Sequence, residues 1–436
     1  LMEWQILLLI IGGILFLCLM SGVPIFAAFL IVDTVGVLLF MGGLAGIDSL
    51  IRSIFDSIGL FTLTPVVLFL IMGEAIFRSG MASRALDVIE RLLVRLPGRL
   101  SLVAVAGGAI FATLSGSALG SCAMLGSLLV PDMTKRKYSK SLSMGPIMVG
   151  GMLAVVIPPS TLAIILGAQG SISVGRLLLA GFIPGFLLAG CYLLYIIISC
   201  YRNPSLAPMG EAISCQSSLG KDFLIYVLPL SIIVLSVLGS IFTGVATPTE
   251  ASALGALTSF ILAACYKSLT PQMVIKSATS TLAISTMIFM IVAGSVAYSQ
   301  LLGFTGIIRG IVDLVTNLSL PPVIIVAIMQ LVLIIMGCFI DQIAMIMIAV
   351  PIFMPISNAL GFDPVWMGLL MLISISLGLI TPPFGLLLFI MRGNAPEGTT
   401  MAEVYRTILP YIYLTILGLA LFIIFPGIVT WLPRHM

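Results

Sequence analysis

SGSALGSCAMLGSLLVP, residues 115–131, and GCFIDQIAMIMIAVP, residues 337–351, are two versions of one pattern. Each closes an apolar hairpin on Val-Pro. Each is followed by an apolar helix broken in its middle by Pro-Pro, at Pro158-Pro159 and at Pro382-Pro383. A proline lacks the amide donor and its ring clashes with the carbonyl of the preceding turn, so a helix unwinds there and leaves carbonyls free. At membrane depth such groups are tolerated only where protein or water surrounds them. Interrupted segments at corresponding places in two halves therefore point to a transporter's binding site.

Composition agrees with that reading. The 436 residues are 60% hydrophobic and 8% charged, with a mean hydropathy of +1.28, whereas soluble domains are about 25% charged. Apolar runs long enough to span a bilayer recur from end to end, so the chain reads as an all-α polytopic membrane protein. Its net charge of +3 is small, and its basic residues sit between the apolar runs. They speak to topology and not to nucleic acid. The first run, from Trp4, has no basic stretch before it and no clear small-residue cleavage site, and is expected to be a retained helix. Seven cysteines without a C-x-x-C pair read as small core residues with free thiols. The sole histidine, His435, lies next to the C-terminus. Neither a zinc site nor a Ser/His nucleophile is easily built from this set, and Asp341 has no second acid nearby, so the chain is not expected to be an enzyme or to need an organic cofactor.

The basic residues set the topology. Arg78, Arg84, Arg91, Arg95 and Arg99, then Lys135, Arg136, Lys137 and Lys140, mark two cytoplasmic stretches by the positive-inside rule. The apolar run 101–130 between them must enter and leave by the cytoplasmic face, as a re-entrant hairpin. From Asp313 to Asp363 there is no Lys or Arg, and the run 323–356 is interrupted at Gly337, Cys338 and Asp341. That hairpin should enter from outside. Spans of about 20 residues are expected at 4–22, 24–46, 60–78, 143–168 and 174–200. After a polar cytoplasmic linker, 201–221, they are expected at 222–244, 246–266, 279–300, 363–392 and 404–431. An odd number of crossings separates corresponding elements, which makes 1–200 and 222–431 inverted-topology repeats with both termini periplasmic. Helices 1–60 and 222–266 then form a scaffold, 100–168 and 321–392 are the hairpin and broken-helix units, and helices 174–200 and 404–431 close each half. Gly22-Val23-Pro24 matches Gly244 to Pro248, and Gly181 to Pro184 parallels Ile408 to Pro410, in the same order.

Two oxygen-rich clusters are candidate sodium sites. Ser115, Gly116, Ser117 and Ser121 at the first hairpin tip join the break at Pro158 and Ser160, because hydroxyl and carbonyl oxygens are the hard ligands an alkali ion needs. The same small residues also suit close helix packing. Gly337 and Asp341 at the second tip join the break at Thr381 and Pro382. A carboxylate at that depth costs at least about 2.5 kcal/mol, so it marks an ion or substrate path; Asp341 equally suits a tip cap or a proton carrier. Ser117, Ser160, Asp341 and Thr381 are the candidate substrate contacts. Thr247-Pro-Thr-Glu250 fits a capping box with Pro at N1, and Glu74 with Arg78 an i, i+4 pair. Arg84 to Arg99, basic residues interleaved with apolar ones, suggests a helix lying on the inner membrane surface and bracing the hairpin.

At these residues the chain resembles the large membrane subunit of the tripartite ATP-independent periplasmic (TRAP) transporters. The resemblance rests on an ordered set spanning nearly the whole length: Ser21-Gly-Val-Pro24, Gly73-Glu74, Leu96-Pro-Gly-Arg99, Ser115-Gly-Ser117, Ile157-Pro-Pro-Ser160, Leu179-Ala-Gly-Phe-Ile-Pro-Gly185, Thr247-Pro-Thr-Glu-Ala251, Asp341 with Pro351, and Thr381-Pro-Pro-Phe-Gly385. After Ser117 many members carry an Asn or Asp where Ala118 to Cys122 offers only the Ser121 hydroxyl. The resemblance implies an elevator-type fold of the ion transporter superfamily in the bacterial inner membrane. It also implies sodium-coupled import of an organic acid such as a C4-dicarboxylate or sialic acid, and the duplicated hairpin and Pro-Pro units lead us to expect two Na+ sites. The implied partners are a separate small four-helix membrane subunit and a periplasmic substrate-binding protein. A stand-alone sodium/carboxylate symporter of the same superfamily would share the hairpins but not the motifs outside them.

Overall fold

A computed structural model describes residues 3–94, 96–115, 117–207 and 219–436, and all its regular structure is helical. The first half comprises α1 (Trp4–Met20), α2 (Ile25–Phe40), α3 (Leu44–Ile58), α4 (Thr64–Arg78), α5 (Met81–Leu92), α6 (Arg99–Ser115), α7 (Ala118–Lys135), α8 (Lys140–Val156), α9 (Thr161–Gln169), α10 (Val174–Ala180) and α11 (Phe182–Arg202). The second comprises α12 (Leu219–Asp222), a π-helical turn (Phe223–Val227), α13 (Leu228–Phe242), α14 (Pro248–Cys265), α15 (Pro271–Phe304), α16 (Ile307–Thr316), α17 (Pro322–Gly337), α18 (Gln342–Ala359), α19 (Pro364–Gly378), α20 (Leu386–Asn394), α21 (Met401–Ile424) and α22 (Gly427–Thr430). Seven helical segments are by themselves long and apolar enough to cross a membrane, and the pair α8 and α9, bent by 40° at its break, makes an eighth.

The same order of elements occurs twice, down to its turns. α5 follows Gly80 at φ +73° and α16 follows Gly306 at φ +74°, a left-handed conformation that glycine adopts without steric cost. α6 and α7 form one helical hairpin, α17 and α18 the other. Each hairpin leads into a broken helix through matching hydrogen bonds, the Tyr138 amide to the Met133 carbonyl at 2.9 Å and the Phe362 amide to the Ser357 carbonyl at 3.0 Å. Each broken helix has a cis peptide at its proline pair, Pro158-Pro159 and Pro382-Pro383.

The halves differ where the spans were read too simply. The span expected at 24–46 stops at Phe40, because Gly42 and Gly43 both take positive φ. α3 follows as a separate amphipathic helix, with Asp48, Arg52 and Asp56 on one stripe. In the second half the corresponding stretch is fused to the span, so α15 runs 34 residues, longer than the expected 279–300. α16 was not foreseen; it packs on α18 as the surface helix α5 packs on α6. Gly181 divides α10 from α11, whereas its match Ile408 lies within the continuous α21. The π-helical turn also has a cause. Pro229 has no amide to offer the Ile225 carbonyl, and the Tyr266 hydroxyl takes that carbonyl instead.

Among the described residues every ion pair lies at the end of the bundle to which the basic stretches were assigned. Arg78 pairs with Glu74 at 2.7 Å, Arg91 with Asp222 at 2.9 Å, and Lys140 with Glu403 at 2.8 Å. Glu90 lies between Arg99 at 3.6 Å and Arg136 at 3.4 Å, tying α5 to both arms of the first hairpin. The capping box at Thr247 and Glu250 is formed, and Thr400 with Glu403 makes another.

The two halves are interlaced at the core. α9, from the first half, packs on α18 of the second hairpin, and α20, from the second half, packs on α7 of the first. In both units the first hairpin arm meets its broken helix glycine to glycine. A Cβ on Gly108 would stand 2.5 Å from the Gly150 Cα, and one on Gly337 would stand 2.7 Å from the Gly378 Cα. Such contacts let backbones approach closely and leave room for no side chain.

Candidate functional site

The second hairpin tip and its break are in contact. Cys338, at the end of α17, lies with its Sγ 3.6 Å from the Pro382 carbonyl, and the rings of Phe339 and Phe384 meet at 5.4 Å. Gly337 rests on Gly378 one turn before the break. Asp341 is the N-cap of α18, its Oδ2 accepting from the Ile343 amide at 3.0 Å. Thr381 donates its hydroxyl proton to the Leu377 carbonyl at 2.7 Å, which leaves its oxygen lone pairs to accept. The tip at Gly337 and Cys338 thus touches the break at Gly378 and Pro382, and the Asp341 carboxylate and Thr381 hydroxyl lie within three residues of that contact along the chain. The neighbouring Pro383 carbonyl is taken by the Tyr405 hydroxyl at 2.6 Å, which fixes the break to α21.

The first tip repeats the capping logic with neutral residues. Ser117 is the N-cap of α7, accepting from the Gly120 amide at 3.1 Å, and Ser160 is the N-cap of α9, accepting from the Ala163 amide at 3.3 Å. Ser117 therefore occupies the place that Asp341 holds in the other hairpin. Ser121 and Ser160 are both buried. The tip leans on α8 where a Cβ on Gly151 would stand 2.9 Å from the Ala118 carbonyl. Pro158 lies in the buried break, which the α10–α11 bend covers: a Cβ on Gly181 would stand 2.1 Å from the Val156 carbonyl. Ser115 ends α6, and Gly116 lies outside the described residues.

The second tip thus places a helix N-terminus beside its proline break, and the first rests on the helix that leads to its own; such amides favour an anionic group and the carbonyls of a break favour a cation. Among the described residues no cluster of three or more His, Cys, Asp or Glu is placed to hold a metal. The donor set is one of hard oxygens, suited to an alkali ion and not to zinc.

One carboxyl escaped the sequence reading. Asp33, in the middle of α2, is fully buried, and neither of its oxygens has a hydrogen-bond partner among the described residues. Its face of α2 packs on α15, where Phe29 meets the Tyr298 ring at 5.5 Å and Leu301 fills the space beside Gly36. The signal was present as one acid inside the apolar run Ile25 to Phe40.

The family model described as "Tripartite ATP-independent periplasmic transporter, DctM component" matches residues 12–428. The chain is 31% identical over 395 residues to the C4-dicarboxylate TRAP transporter large permease protein DctM of Pseudomonas aeruginosa, covering 89% of this chain and 90% of that one. It is 28% identical to the sialic acid TRAP transporter large permease protein SiaM of Vibrio cholerae, over 95% and 96% of the two chains. It is also 28% identical to the isethionate TRAP transporter permease protein DctMQ of Oleidesulfovibrio alaskensis, covering 96% of this chain and 65% of that longer one. The fold is similar to that of the YdaH transporter of Alcanivorax borkumensis, with a TM-score of 0.61 at 16% identity over 88% and 89% of the chains.

Proposed function

The chain belongs to the DctM family, the large permease component of TRAP transporters, and from that premise we propose that it is the membrane engine of a sodium-coupled importer of a small organic acid. It is a transporter subunit and not an enzyme. The observation that supports the coupling is the contact of the second hairpin tip with its break, Cys338 against the Pro382 carbonyl, with the capping carboxylate of Asp341 three residues along one side of that contact and the Thr381 hydroxyl one residue along the other. There Asp341, Thr381, Gly337 and Pro382 would hold one sodium ion, and Ser115, Ser117, Ser121, Pro158 and Ser160 a second at the first tip. The ion supplies positive charge that offsets both the half-buried Asp341 carboxylate and the substrate's own. Ser117, Ser160, Asp341 and Thr381 would orient the substrate between the tips.

Relatives are named for C4-dicarboxylates, sialic acid, ectoine and isethionate, and the carboxylate class is the reading favoured for this chain. Partners follow from the tripartite system: a small four-helix subunit beside the scaffold, as the longer DctMQ relative supports, and a periplasmic binding protein that delivers substrate. The two halves are read as inverted repeats in the bacterial inner membrane. The ion-paired end faces the cytoplasm and both termini face the periplasm, and the hairpin units travel as an elevator against the scaffold. Uptake into proteoliposomes holding the full three-part system tests the coupling. Transport should require sodium and should fail in choline, and equal uptake in choline driven by a proton gradient would overturn the sodium reading.

A further inference from the structure

Away from the hairpin tips, a cavity of about 270 Å³ opens at the ion-paired end of the bundle, where the start of α8, the end of α11 and the first turns of α21 meet. Its polar lining includes Arg202, Asn203, Tyr195, Ser199 and Tyr411 and, among the described residues, no carboxylate. Arg202 makes no ion pair among the described residues. Tyr411 is 1% exposed, yet its hydroxyl has no hydrogen-bond partner among the described residues. Its ring is fixed by Tyr192 at 5.8 Å and Tyr195 at 5.2 Å, and by Gly145, whose missing side chain makes room for it. Tyr192 itself is satisfied by the Thr415 hydroxyl at 2.6 Å. Of the two tyrosines that line the cavity, Tyr411 is thus the buried one whose hydroxyl lacks a partner among the described residues.

These groups ask for one kind of ligand. A guanidinium, an amide and phenolic hydroxyls are donors, and with no acid among the described lining residues they call for a negatively charged group rich in acceptors. The first turn of α8, a 17-residue helix, forms part of the wall through Ser141 and Leu142 and adds its positive end. The volume equals roughly nine waters at about 30 Å³ each, room for a tetrahedral oxyanion with part of its hydration shell. The cavity also sits where the linker leaves α11, since the Leu206 carbonyl accepts from the Ser139 amide at 2.8 Å at the entry to α8. We propose that this cavity binds a phosphate-type anion, supplied by an anionic phospholipid headgroup of the adjacent leaflet or by free phosphate. Its occupant ties the root of the linker to α8 and α21.

The test is independent of transport. The full chain, purified in detergent, is unfolded thermally in inorganic phosphate and in chloride at equal ionic strength, and native mass spectrometry compares retention of phosphatidylglycerol with phosphatidylcholine. Wild type should be stabilised by phosphate, or should retain phosphatidylglycerol selectively. Arg202→Gln and Tyr411→Phe should each weaken that binding about tenfold. Tyr411→Phe keeps the ring packing, and its unfolding in chloride checks that it is folded. Selective lipid retention without a phosphate effect assigns the headgroup, and a phosphate effect without lipid selectivity assigns the free anion. Wild type and both variants behaving alike in both arms would overturn the site.

Discussion

Asp341 sits at a hairpin tip, where a helix cap and a cation ligand demand different things of one side chain. Asparagine caps a helix about as well as aspartate but brings no charge. Asp341→Asn should therefore fold with near wild-type stability while its sodium requirement for uptake rises at least about tenfold, an amount equal to about 1.4 kcal/mol. A variant with an unchanged sodium dependence would leave Asp341 a cap only. Asp33 poses the reverse case, since burial of a carboxyl without a donor costs about 1–3 kcal/mol and no neighbouring group offsets it. Asp33→Leu, which swaps that group for an apolar one of somewhat larger volume, should raise the thermal midpoint in detergent, and a fall would show that the carboxyl finds a partner in the assembled complex.

At the scale of elements, the glycine crossings set how closely each hairpin arm lies on its broken helix. Gly378→Ala would place a Cβ 2.6 Å from the Gly337 Cα, a clash between backbones that no side-chain rotation relieves. It should cost about 1–3 kcal/mol, whereas Gly190→Ala, with nothing within 4 Å, should leave the thermal midpoint unchanged or higher. A second link between elements titrates. The Glu403 carboxyl at the start of α21 is held below its ordinary value of 4.5, first by its hydrogen bond from Lys140 and next by the Thr400 amide. Its folded value lies below its unfolded one, so its stabilising effect is present at neutral pH and lost as pH falls through the lowered value. The thermal advantage of wild type over Lys140→Met should therefore be measurable at pH 7, begin to fall near pH 4.5 and vanish only below the lowered value. Much at this scale was legible beforehand. The hairpins, the breaks at Pro158 and Pro382, the capping box at Thr247 and the brace helix α5 all follow from local chemistry that a few residues spell out. What local chemistry does not carry is which apolar face meets which. α9 on α18, α20 on α7 and the burial of Asp33 against α15 depend on partners more than a hundred residues away. α3 and α16 were missed because short amphipathic stretches between spans read as loop.

At the scale of the molecule, the alternating access proposed above would require the tip of the second hairpin to open and close over its break. Cys338 is a built-in probe, buried in this conformation beside the Pro382 carbonyl. In a chain keeping only that cysteine, labelling by an impermeant maleimide should slow about tenfold when sodium replaces choline, an effect that a gap in closing free energy of about 1.4 kcal/mol would produce. A rate unaffected by sodium would count against ion-linked closure. The interlacing of the halves reaches further, into how the protein is made. When α9 leaves the ribosome, its partner α18 does not yet exist. The 173 residues from Gln169 to Gln342 take roughly 9–35 s to synthesise at about 5–20 residues per second. For that interval the nascent first half holds uncovered faces inside the lipid, where the insertion machinery must shelter them. Maturation of this permease is thus timed by translation, and slowing the ribosome between the halves should lengthen the window in which the membrane's quality-control protease can destroy it.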